Sequence, residues 1–350
     1  MQTHTLSGRW CQKMAIRQDN NVNADVQDNE EVLRIEDLHT YFYSREGVVK
    51  AVNGVNLSIK AHTILGIVGE SGSGKSVAAL SLLRLVPYPG KIIHGRVYFE
   101  GMDLMEIGTE EMLRVRGRAI AMIFQDPKGS LNPIETVGKQ ISEILLAHSI
   151  MSVREAADRT MELMRELSLP EHIFKRYPFE LSGGQAQRAM IAMATAWQPK
   201  VIIADEPTSN LDTTIQADVL ARLERMRSEK RSTIILITHN MGVIAQMANE
   251  TAVMYAGSVV EYGGTQALFE KPSHPYTWGL LQSIARLDEP NRALRTIPGS
   301  PPNSIDLPDQ CPYMPRCPKA SNECRLNVRP PLREIEPGHY VACYNVIEHS

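Results

Sequence analysis

The stretch TILGIVGESGSGKS, residues 63–76, decides the fold of this chain. Residues 63–68 form a short apolar run, residues 69–76 match the pattern G-x-x-x-x-G-K-[ST], and a helical pattern continues to Leu85. A buried strand, a glycine-rich loop and a helix in this order predict a phosphate-binding loop. The glycines let successive backbone N–H groups turn inward around phosphate oxygens.

Two side chains of this loop extend the prediction. Lys75 brings a cation to the β- and γ-phosphates of a nucleotide, and Ser76 offers a hydroxyl to Mg²⁺. The simpler alternative is a Gly/Ser turn with a solvated lysine, but the flanking strand and helix favour phosphate binding. The residues predicted to bind nucleotide here are Gly69, Ser71, Gly72, Ser73, Gly74, Lys75, Ser76 and Val77.

Composition excludes several classes of function. The 350 residues are 43% hydrophobic and carry a formal net charge of −3, with Lys and Arg scattered along the chain. That balance argues against nucleic acid as a partner. No apolar run approaches the roughly 20 residues that cross a bilayer, so membrane association is expected to go through partner proteins. Residues 1–30 contain no apolar run of signal-peptide length and are predicted to form a disordered cytoplasmic tail.

The remaining patterns alternate between strands and helices. Period-two alternation at residues 32–38 and 52–59, joined by an aromatic turn at 41–43, predicts an N-terminal β layer. Residues 137–175 have a helical pattern with a capping box at Ser152 and Glu155. Apolar runs at 201–204 and 233–238, separated by a helix, predict a mostly parallel α/β sheet. Proline becomes frequent after Gly263, which predicts a loop-rich C-terminal segment.

An acidic pair follows the apolar run at 201–204. A carboxylate at the C-terminal end of a strand lies where open parallel sheets bind ligands, so Asp205 is a candidate Mg²⁺ ligand beside the phosphate loop. Glu206 is a candidate to orient or deprotonate an attacking water. Taken alone, such a pair is more often a helix cap or a surface charge.

The five residues LSGGQ, 181–185, change that balance. Ser182 is expected to cap a helix that starts at the glycines, leaving N–H groups and a hydroxyl that can hold an anion. An isolated S-G-G is more often an ordinary N-cap. In the company of the phosphate loop and the acidic pair, however, this chain resembles the ABC transporter ATPases over about residues 32–263.

The resemblance implies a site shared between two subunits. In this family the five-residue signature reaches across a head-to-tail dimer to the γ-phosphate on the phosphate loop of the other subunit. The signature residues expected to contact nucleotide in this way are Ser182, Gly183, Gly184 and Gln185. The resemblance also implies that the catalytic residues are Glu206, His239 and Gln125, with Mg²⁺ held by Ser76, Gln125 and Asp205.

Further family positions follow in order along the chain. Gln125 ends the predicted strand 119–124 and matches the glutamine that senses Mg²⁺ and the attacking water, while His239 follows the strand 233–238 and matches the histidine that contacts the γ-phosphate. Residues 209–212 match the D-loop, although Asn210 stands where the family more commonly has Ala. The aromatic residue that stacks on adenine is expected at Phe42, with Tyr41 and Tyr43 as alternatives.

The C-terminal segment narrows the subfamily. Residues 273–277, SHPYT, and 298–302, PGSPP, resemble the extension of dipeptide/oligopeptide permease ATPases, and residues 66–77 are closer to their D-type than to their F-type subunit. The resemblance implies an F-type ATPase partner, two membrane permeases and a solute-binding protein that acts through the permeases. Nickel and oligosaccharide importers share this extension, so the cargo stays open.

Four cysteines crowd the C-terminal segment: Cys311, Cys317, Cys324 and Cys343. Four thiolates can close a tetrahedral zinc site or a [4Fe–4S] site. The spacing lacks tight C-x2-C pairs, and members of the resembled subfamily carry a cluster at such a pattern, which favours iron–sulfur. Zinc and unligated buried thiols are the alternatives. Cys11 is left out of the cluster.

The predicted fold is α/β. A P-loop, RecA-like ATPase core at residues 31–263 carries an antiparallel β layer and a helical subdomain at about 135–180, followed by an extension at 264–350. The expected function is ATP hydrolysis that powers peptide import, at the cytoplasmic side of the inner membrane. A nickel or oligosaccharide importer, a non-transport ABC ATPase, and a nucleotide-binding subunit without turnover are the alternatives.

Overall fold

A computed structural model describes residues 30–149, 151–209, 211–284, 296–305 and 307–349. The strands are β1 (Glu31–Ser44), β2 (Gly47–Lys60), β3 (Ile64–Val68), β4 (Gly90–Phe99), β5 (Met102–Asp103), β6 (Ile120–Ile123), β7 (Val201–Asp205), β8 (Thr233–Ile237), β9 (Glu250–Tyr255), β10 (Ser258–Gly264), β11 (Arg333–Glu336) and β12 (His339–Val341). The α-helices are α1 (Lys75–Leu82), α2 (Thr109–Val115), α3 (Val137–Ala147), α4 (Val153–Glu166), α5 (Gly183–Thr195), α6 (Thr213–Lys230), α7 (Met241–Met247), α8 (Thr265–Glu270), α9 (Pro275–Gln282) and α10 (Asn322–Leu326).

The N-terminal layer is an antiparallel sheet with the strand order β2-β1-β4-β5. Strands β1 and β2 form a long hairpin, which confirms the predicted β layer. The aromatic residues 41–43 lie inside β1, so their prediction as a turn was wrong and the turn falls at residues 45–46. The sequence patterns did not indicate β4, because its buried residues are confined to Val97 and Phe99 at one end.

The main sheet has the order β11-β12-β10-β9-β3-β8-β7-β6, and the pairs from β9 through β6 are parallel. Strand β3 shows why its sequence is apolar throughout. Ile64 and Val68 pack into one hydrophobic cluster, whereas Leu65 and Ile67 pack into another. A strand covered on both faces needs apolar residues at every position, so the continuous runs in β3, β7 and β8 mark the centre of the sheet.

The helical insert follows β6. It contains α3, α4 and short 3-10 helices at Glu171–Lys175 and Pro178–Glu180. The predicted capping box is present: Ser152 Oγ accepts from Glu155 N, and Ser152 N donates to Glu155 Oε2 at 2.8 Å. The insert leads directly into α5, so it carries the LSGGQ residues at its end.

The C-terminal extension is attached to the main sheet by strand pairing. Strand β12 pairs antiparallel with β10, and the hairpin of β11 and β12 extends the sheet beyond the ATPase core. Glu261 of β10 is fully buried and accepts hydrogen bonds from Ser273 N, His274 N and His339 Nε2, at 2.7, 3.0 and 2.8 Å. One carboxylate thereby joins β10, the start of α9 and β12.

Some sequence predictions fall outside these residues. The predicted tail, apart from Glu30, is not among the described residues, and neither are Cys11 and Asn210. Within the ranges that the structure does describe, every helix is too short or too polar to span a lipid bilayer. The division at residue 263 remains a prediction, and β10 continues to Gly264.

Candidate functional site

Four adjacent parallel strands bring the predicted nucleotide residues to one edge of the main sheet. In the order β3, β8, β7, β6, the strands lead into the phosphate loop, His239, the pair Asp205 and Glu206, and Gln125. Because the C-terminal ends of parallel strands meet at the same edge, these groups face one crevice. The same edge of this sheet is where doubly wound proteins bind their ligands.

The phosphate loop depends on its glycines for both conformation and space. Gly69 and Gly74 have φ values of 153° and 99°. A Cβ atom on Gly69 would lie 2.2 Å from the carbonyl oxygen of Met254, and one on Gly74 would lie 2.1 Å from that of Ala51. No side chain fits at either position, so the neighbouring strands pack directly against the backbone of the loop.

Lys75 opens α1 and turns back over the loop. Its Nζ donates to Gly69 O at 2.8 Å, to Glu70 O at 2.9 Å and to Ser73 Oγ at 3.3 Å. The side chain is buried, and this burial lowers its pKa, while the nearby carboxylates of Glu206, Asp205 and Glu70 raise it. The ammonium group of Lys75 therefore lies inside the loop, where a phosphate oxygen can take the place of one of these carbonyl oxygens as its acceptor.

Asp205 has the properties of a cation ligand. Its side chain is 4% exposed, and burial raises its pKa, an effect that the hydrogen bond with Ser76 opposes. Within the described residues, Asp205 Oδ1 is buried and has no hydrogen-bond partner. A buried carboxylate oxygen without a partner is costly. A hard cation beside the Ser76 hydroxyl would satisfy it, so these two residues fit Mg²⁺.

Glu206 and His239 form a pair at the ends of β7 and β8. Glu206 Oε1 lies 2.8 Å from His239 Nδ1 and 3.1 Å from His239 N, and Thr238 Oγ1 lies 3.4 Å from Glu206 Oε2. The Glu206 side chain is only 10% exposed, whereas that of His239 is 70% exposed. Glu206 also has a φ of 47°, a conformation that is uncommon for a non-glycine residue. The backbone is strained where the carboxylate is aimed.

Ser182 and Gly183 of the signature, and Gln125, are open to solvent. Ser182 caps α5 as predicted, with Ser182 N donating to Gln185 Oε1 at 2.9 Å and Gln185 N donating to Ser182 Oγ at 3.3 Å. Ser182 and Gly183 are exposed, while a Cβ on Gly184 would lie 2.8 Å from Ile215 Cδ1. Gln125 is also exposed, directly after β6. The exposed N-terminus of α5 is a surface that a second subunit can reach.

The three aromatic candidates for adenine stacking differ in their surroundings. Phe42 is half-buried and so close to Gly90 that a Cβ there would lie 2.7 Å from Phe42 Cε1. Tyr41 Oη donates to Asn53 Oδ1 at 3.1 Å, while Tyr43 is 44% exposed. The choice of Phe42 stays a prediction.

Sequence reasoning missed a group of residues that touches the phosphate loop from the C-terminal extension. Arg316 bonds the carboxylate of Glu70, and the hydroxyl of Tyr276 accepts from Glu70 N. Arg316 and Glu70 are 246 residues apart. Glu70 lies in the phosphate-loop pattern, but Arg316 belongs to no recognisable pattern, so no local signal in the sequence could have joined them.

The four C-terminal cysteines line one pocket, together with His274, Tyr313 and Asn345. Burial raises the pKa of Cys311, Cys317 and Cys343, the last to about 12. Across the described part of the chain, no group of three or more His, Cys, Asp or Glu side chains is arranged to hold a metal ion. The predicted [4Fe–4S] cluster is thus unsupported by the placement of these side chains, although they converge on one place.

Comparison with known families matches both parts of the chain. A profile described as ABC transporter matches residues 52–209. A second, described as the C-terminal region of oligopeptide/dipeptide transporters, matches residues 260–324. The second match covers most of β10, all of α9 and three of the clustered cysteines.

Several curated proteins are similar over nearly the whole chain. An oligopeptide transport ATP-binding protein of Escherichia coli is 43% identical, with 92% of this chain and 95% of that protein covered. A dipeptide transport ATP-binding protein of the same organism is 39% identical, covering 91% and 98%. An oligopeptide transport ATP-binding protein of Bacillus subtilis is 43% identical, covering 89% and 96%.

Solved structures match the core of the fold. A dimeric ATP-binding cassette in a post-hydrolysis state, bound to ADP and phosphate, superimposes with a TM-score of 0.61 and is 27% identical, covering 67% of this chain and 98% of that one. A component of an ABC transporter complex from Clostridium perfringens superimposes with a TM-score of 0.58 at 26% identity, covering 69% and 91%. The predicted α/β P-loop cassette fold is confirmed.

Proposed function

Because this chain belongs to the ATP-hydrolysing subunits of ABC transporters, in the family that includes oligopeptide and dipeptide transport ATP-binding proteins, we propose that it powers the import of dipeptides or oligopeptides. The observation that carries the proposal is the combined match of the cassette and the peptide-transporter C-terminal region within one chain. The subunit acts peripherally, on the cytoplasmic side of the membrane. Two permeases form the path for the peptide, which a solute-binding protein delivers.

The phosphate loop and the edge of the sheet divide the work on ATP. The N–H groups of the loop and Lys75 bind the phosphates. Ser76, Asp205 and Gln125 would hold Mg²⁺, which would supply positive charge to offset the negative charge of the phosphates. The unpartnered Oδ1 of Asp205 supports this assignment.

Glu206 acts on the attacking water and His239 braces the γ-phosphate. A general base must lie within hydrogen-bond reach of the proton that it takes. The carboxylate of Glu206 is held at the mouth of the crevice by His239, next to Lys75 and Asp205, whose pKa values it influences. This arrangement supports a carboxylate poised beside the terminal phosphate.

A second ATPase subunit of the F-type completes the site. Ser182 and Gly183 are exposed at the N-terminus of α5, where they are available to the nucleotide of a partner. The isolated chain should therefore hydrolyse ATP slowly, and adding the partner should raise the rate. Full turnover in a verified monomer, measured across a range of protein concentrations, would refute the shared site.

Reconstitution tests the cargo. The chain should be assembled in proteoliposomes with an F-type subunit, the permeases and a solute-binding protein, and ATP hydrolysis should be measured with added peptides, nickel or oligosaccharides. We expect peptides to stimulate hydrolysis and to accumulate inside. Stimulation by nickel or an oligosaccharide would instead identify that solute as the cargo and refute peptide import. If none of these solutes stimulates hydrolysis, a non-transport ABC ATPase would be favoured.

The four clustered cysteines are proposed to hold a [4Fe–4S] cluster, with one zinc ion as the alternative. Their convergence on one pocket supports the proposal, whereas the arrangement of their side chains does not yet form a metal site. Protein purified without oxygen should contain about four irons per chain and show broad visible absorbance. Cys317→Ser should remove both, and Cys11→Ser, outside the cluster, should remove neither. One zinc without iron, or no metal, would reject the cluster.

A further inference from the structure

The C-terminal extension reaches into the phosphate loop and grips Glu70, the second residue of that loop. Arg316 Nη1 donates to Glu70 Oε2 at 2.6 Å, and Arg316 Nη2 donates to Glu70 Oε1 at 3.0 Å. The backbone N–H of Glu70 donates to Tyr276 Oη at 2.8 Å. The side chain and the amide of one loop residue are thus both bound by residues that lie far away in the sequence.

Arg316 is itself held firmly. Its Nε donates to Pro298 O at 2.8 Å, its Nη1 also donates to Tyr255 Oη at 3.2 Å, and its side chain is 6% exposed. The rings of Tyr255, Tyr276 and Tyr313 pack against one another behind it, with centroids 4.6 to 5.3 Å apart. A two-pronged arginine–carboxylate contact fixes direction as well as distance. Because Arg316 is itself held in place, it holds the Glu70 carboxylate in a defined position.

The third polar group of Glu70 is its backbone carbonyl, which contacts Lys75. Lys75 Nζ donates to Glu70 O at 2.9 Å and also to Gly69 O. The Glu70 carboxylate also raises the pKa of Lys75. Arg316 therefore acts on the phosphate loop in two ways: it fixes the carbonyl that holds Lys75, and it neutralises a negative charge that would otherwise repel phosphate.

We propose that Arg316 and Tyr276 are positioning residues for ATP, which make nucleotide affinity in this chain depend on the C-terminal extension. The brace acts through Glu70 on Lys75 and touches no substrate itself. The inference needs only ATP binding to the phosphate loop, and it does not depend on the cargo or on the content of the cysteine pocket. A failure of either of those proposals leaves it intact.

Thermal stability and nucleotide affinity together distinguish a positioning role of Arg316 from a role in attaching the extension alone. If Arg316 only fastens the extension, its loss lowers thermal stability without changing nucleotide affinity in the protein that stays folded. If it braces the loop, its loss leaves Glu70 unpaired beside the phosphates, and ATP suffers more than ADP because ATP carries the additional phosphate. Removing the carboxylate as well should then restore part of the affinity.

The experiment measures dissociation constants for ATP and ADP by calorimetry on the full chain, below the melting temperature of each variant. Arg316→Met should weaken ATP binding about tenfold and ADP binding less, and the double variant with Glu70→Gln should recover much of the ATP loss. Arg316→Lys keeps the charge but loses the two-pronged contact, so its affinity should lie between wild type and Arg316→Met. Tyr276→Phe, which removes one hydroxyl and keeps the ring, should weaken ATP binding a few-fold.

Arg222→Met is the matched control. Arg222 is also buried, and it donates to Asp218 Oδ2 at 3.0 Å and to Glu166 O at 3.1 Å, away from the phosphate loop. It should lower the melting temperature and leave both nucleotide affinities unchanged. Unchanged ATP affinity in folded Arg316→Met and Tyr276→Phe would overturn the brace, as would a double variant no better than Arg316→Met. If Arg316→Met fails to fold, Arg316→Lys and Tyr276→Phe decide the question.

Discussion

Acid is expected to destabilise the C-terminal extension through His274. This imidazole is buried at the start of α9, and burial lowers its pKa to about 4 from the ordinary 6.5. Its Nδ1 accepts from Tyr276 N at 3.0 Å, which requires that nitrogen to carry no proton. The Glu261 carboxylate opposes the effect of burial on the pKa, and the ring of Tyr313 lies 5.9 Å away.

The size of the effect follows from proton linkage. The pKa of His274 in the folded chain lies below its unfolded value of 6.5, so the stabilisation is present above that pH and is lost as the pH falls towards 4. Between pH 7 and pH 5, His274 takes up a proton in the unfolded chain but remains largely unprotonated in the folded chain. With these two pKa values, the free energy of unfolding should fall by about 2 kcal/mol from this group.

Urea unfolding at several pH values, followed by tryptophan fluorescence, to which Trp278 in α9 contributes, measures this change. His274→Asn keeps a side-chain oxygen to cap α9 but does not titrate, so its free energy of unfolding should fall by about 2 kcal/mol less between pH 7 and pH 5. His94→Asn is the control, because the His94 side chain is 68% exposed. The same pH dependence in wild type and His274→Asn would refute the assignment.

Three further predictions concern the nucleotide site and the helical insert. Gly74→Ala should abolish ATP binding in calorimetry, because its Cβ would lie 2.1 Å from Ala51 O, whereas Gly101→Ala, with open space and a φ of 80°, should bind ATP normally. Glu206→Gln should bind ATP yet hydrolyse it roughly 10²-fold more slowly in the assembled complex, and a near-parental rate contradicts its role as the base. Ser152→Ala should lower the free energy of unfolding by about 1 kcal/mol in urea titrations with ATP binding unchanged; no loss would rule out the cap.

The residues at the edge of the sheet could be predicted because their signals are local. Strands β3, β7 and β8 are buried and almost wholly apolar, and their C-terminal ends lead into the phosphate loop, the acidic pair and His239. Parallel pairing then brings these ends together without any further information. The cap at Ser182 was predictable for the same reason, since its partner Gln185 lies within the same turn.

Contacts between distant segments could not be predicted. Residues 333–341 carry no strong alternation, and they form strands because β10 offers them an edge. Glu261 reads as an ordinary charge, yet it is fully buried because three donors from the extension satisfy it. Arg316 reads as a surface arginine next to a cysteine, and its partner in the phosphate loop is visible only in the folded chain.

The pairing of Glu206 with His239 divides the two oxygens of one carboxylate between different neighbours. Glu206 Oε1 accepts from both N and Nδ1 of His239, whereas Oε2 has the longer contact, 3.4 Å to Thr238 Oγ1. Because an ionised carboxylate only accepts, Nδ1 is the donor in this contact. The role proposed for His239 at the γ-phosphate therefore falls to its other ring nitrogen, Nε2. The role proposed for Glu206 on the attacking water falls to Oε2, the oxygen that His239 does not contact.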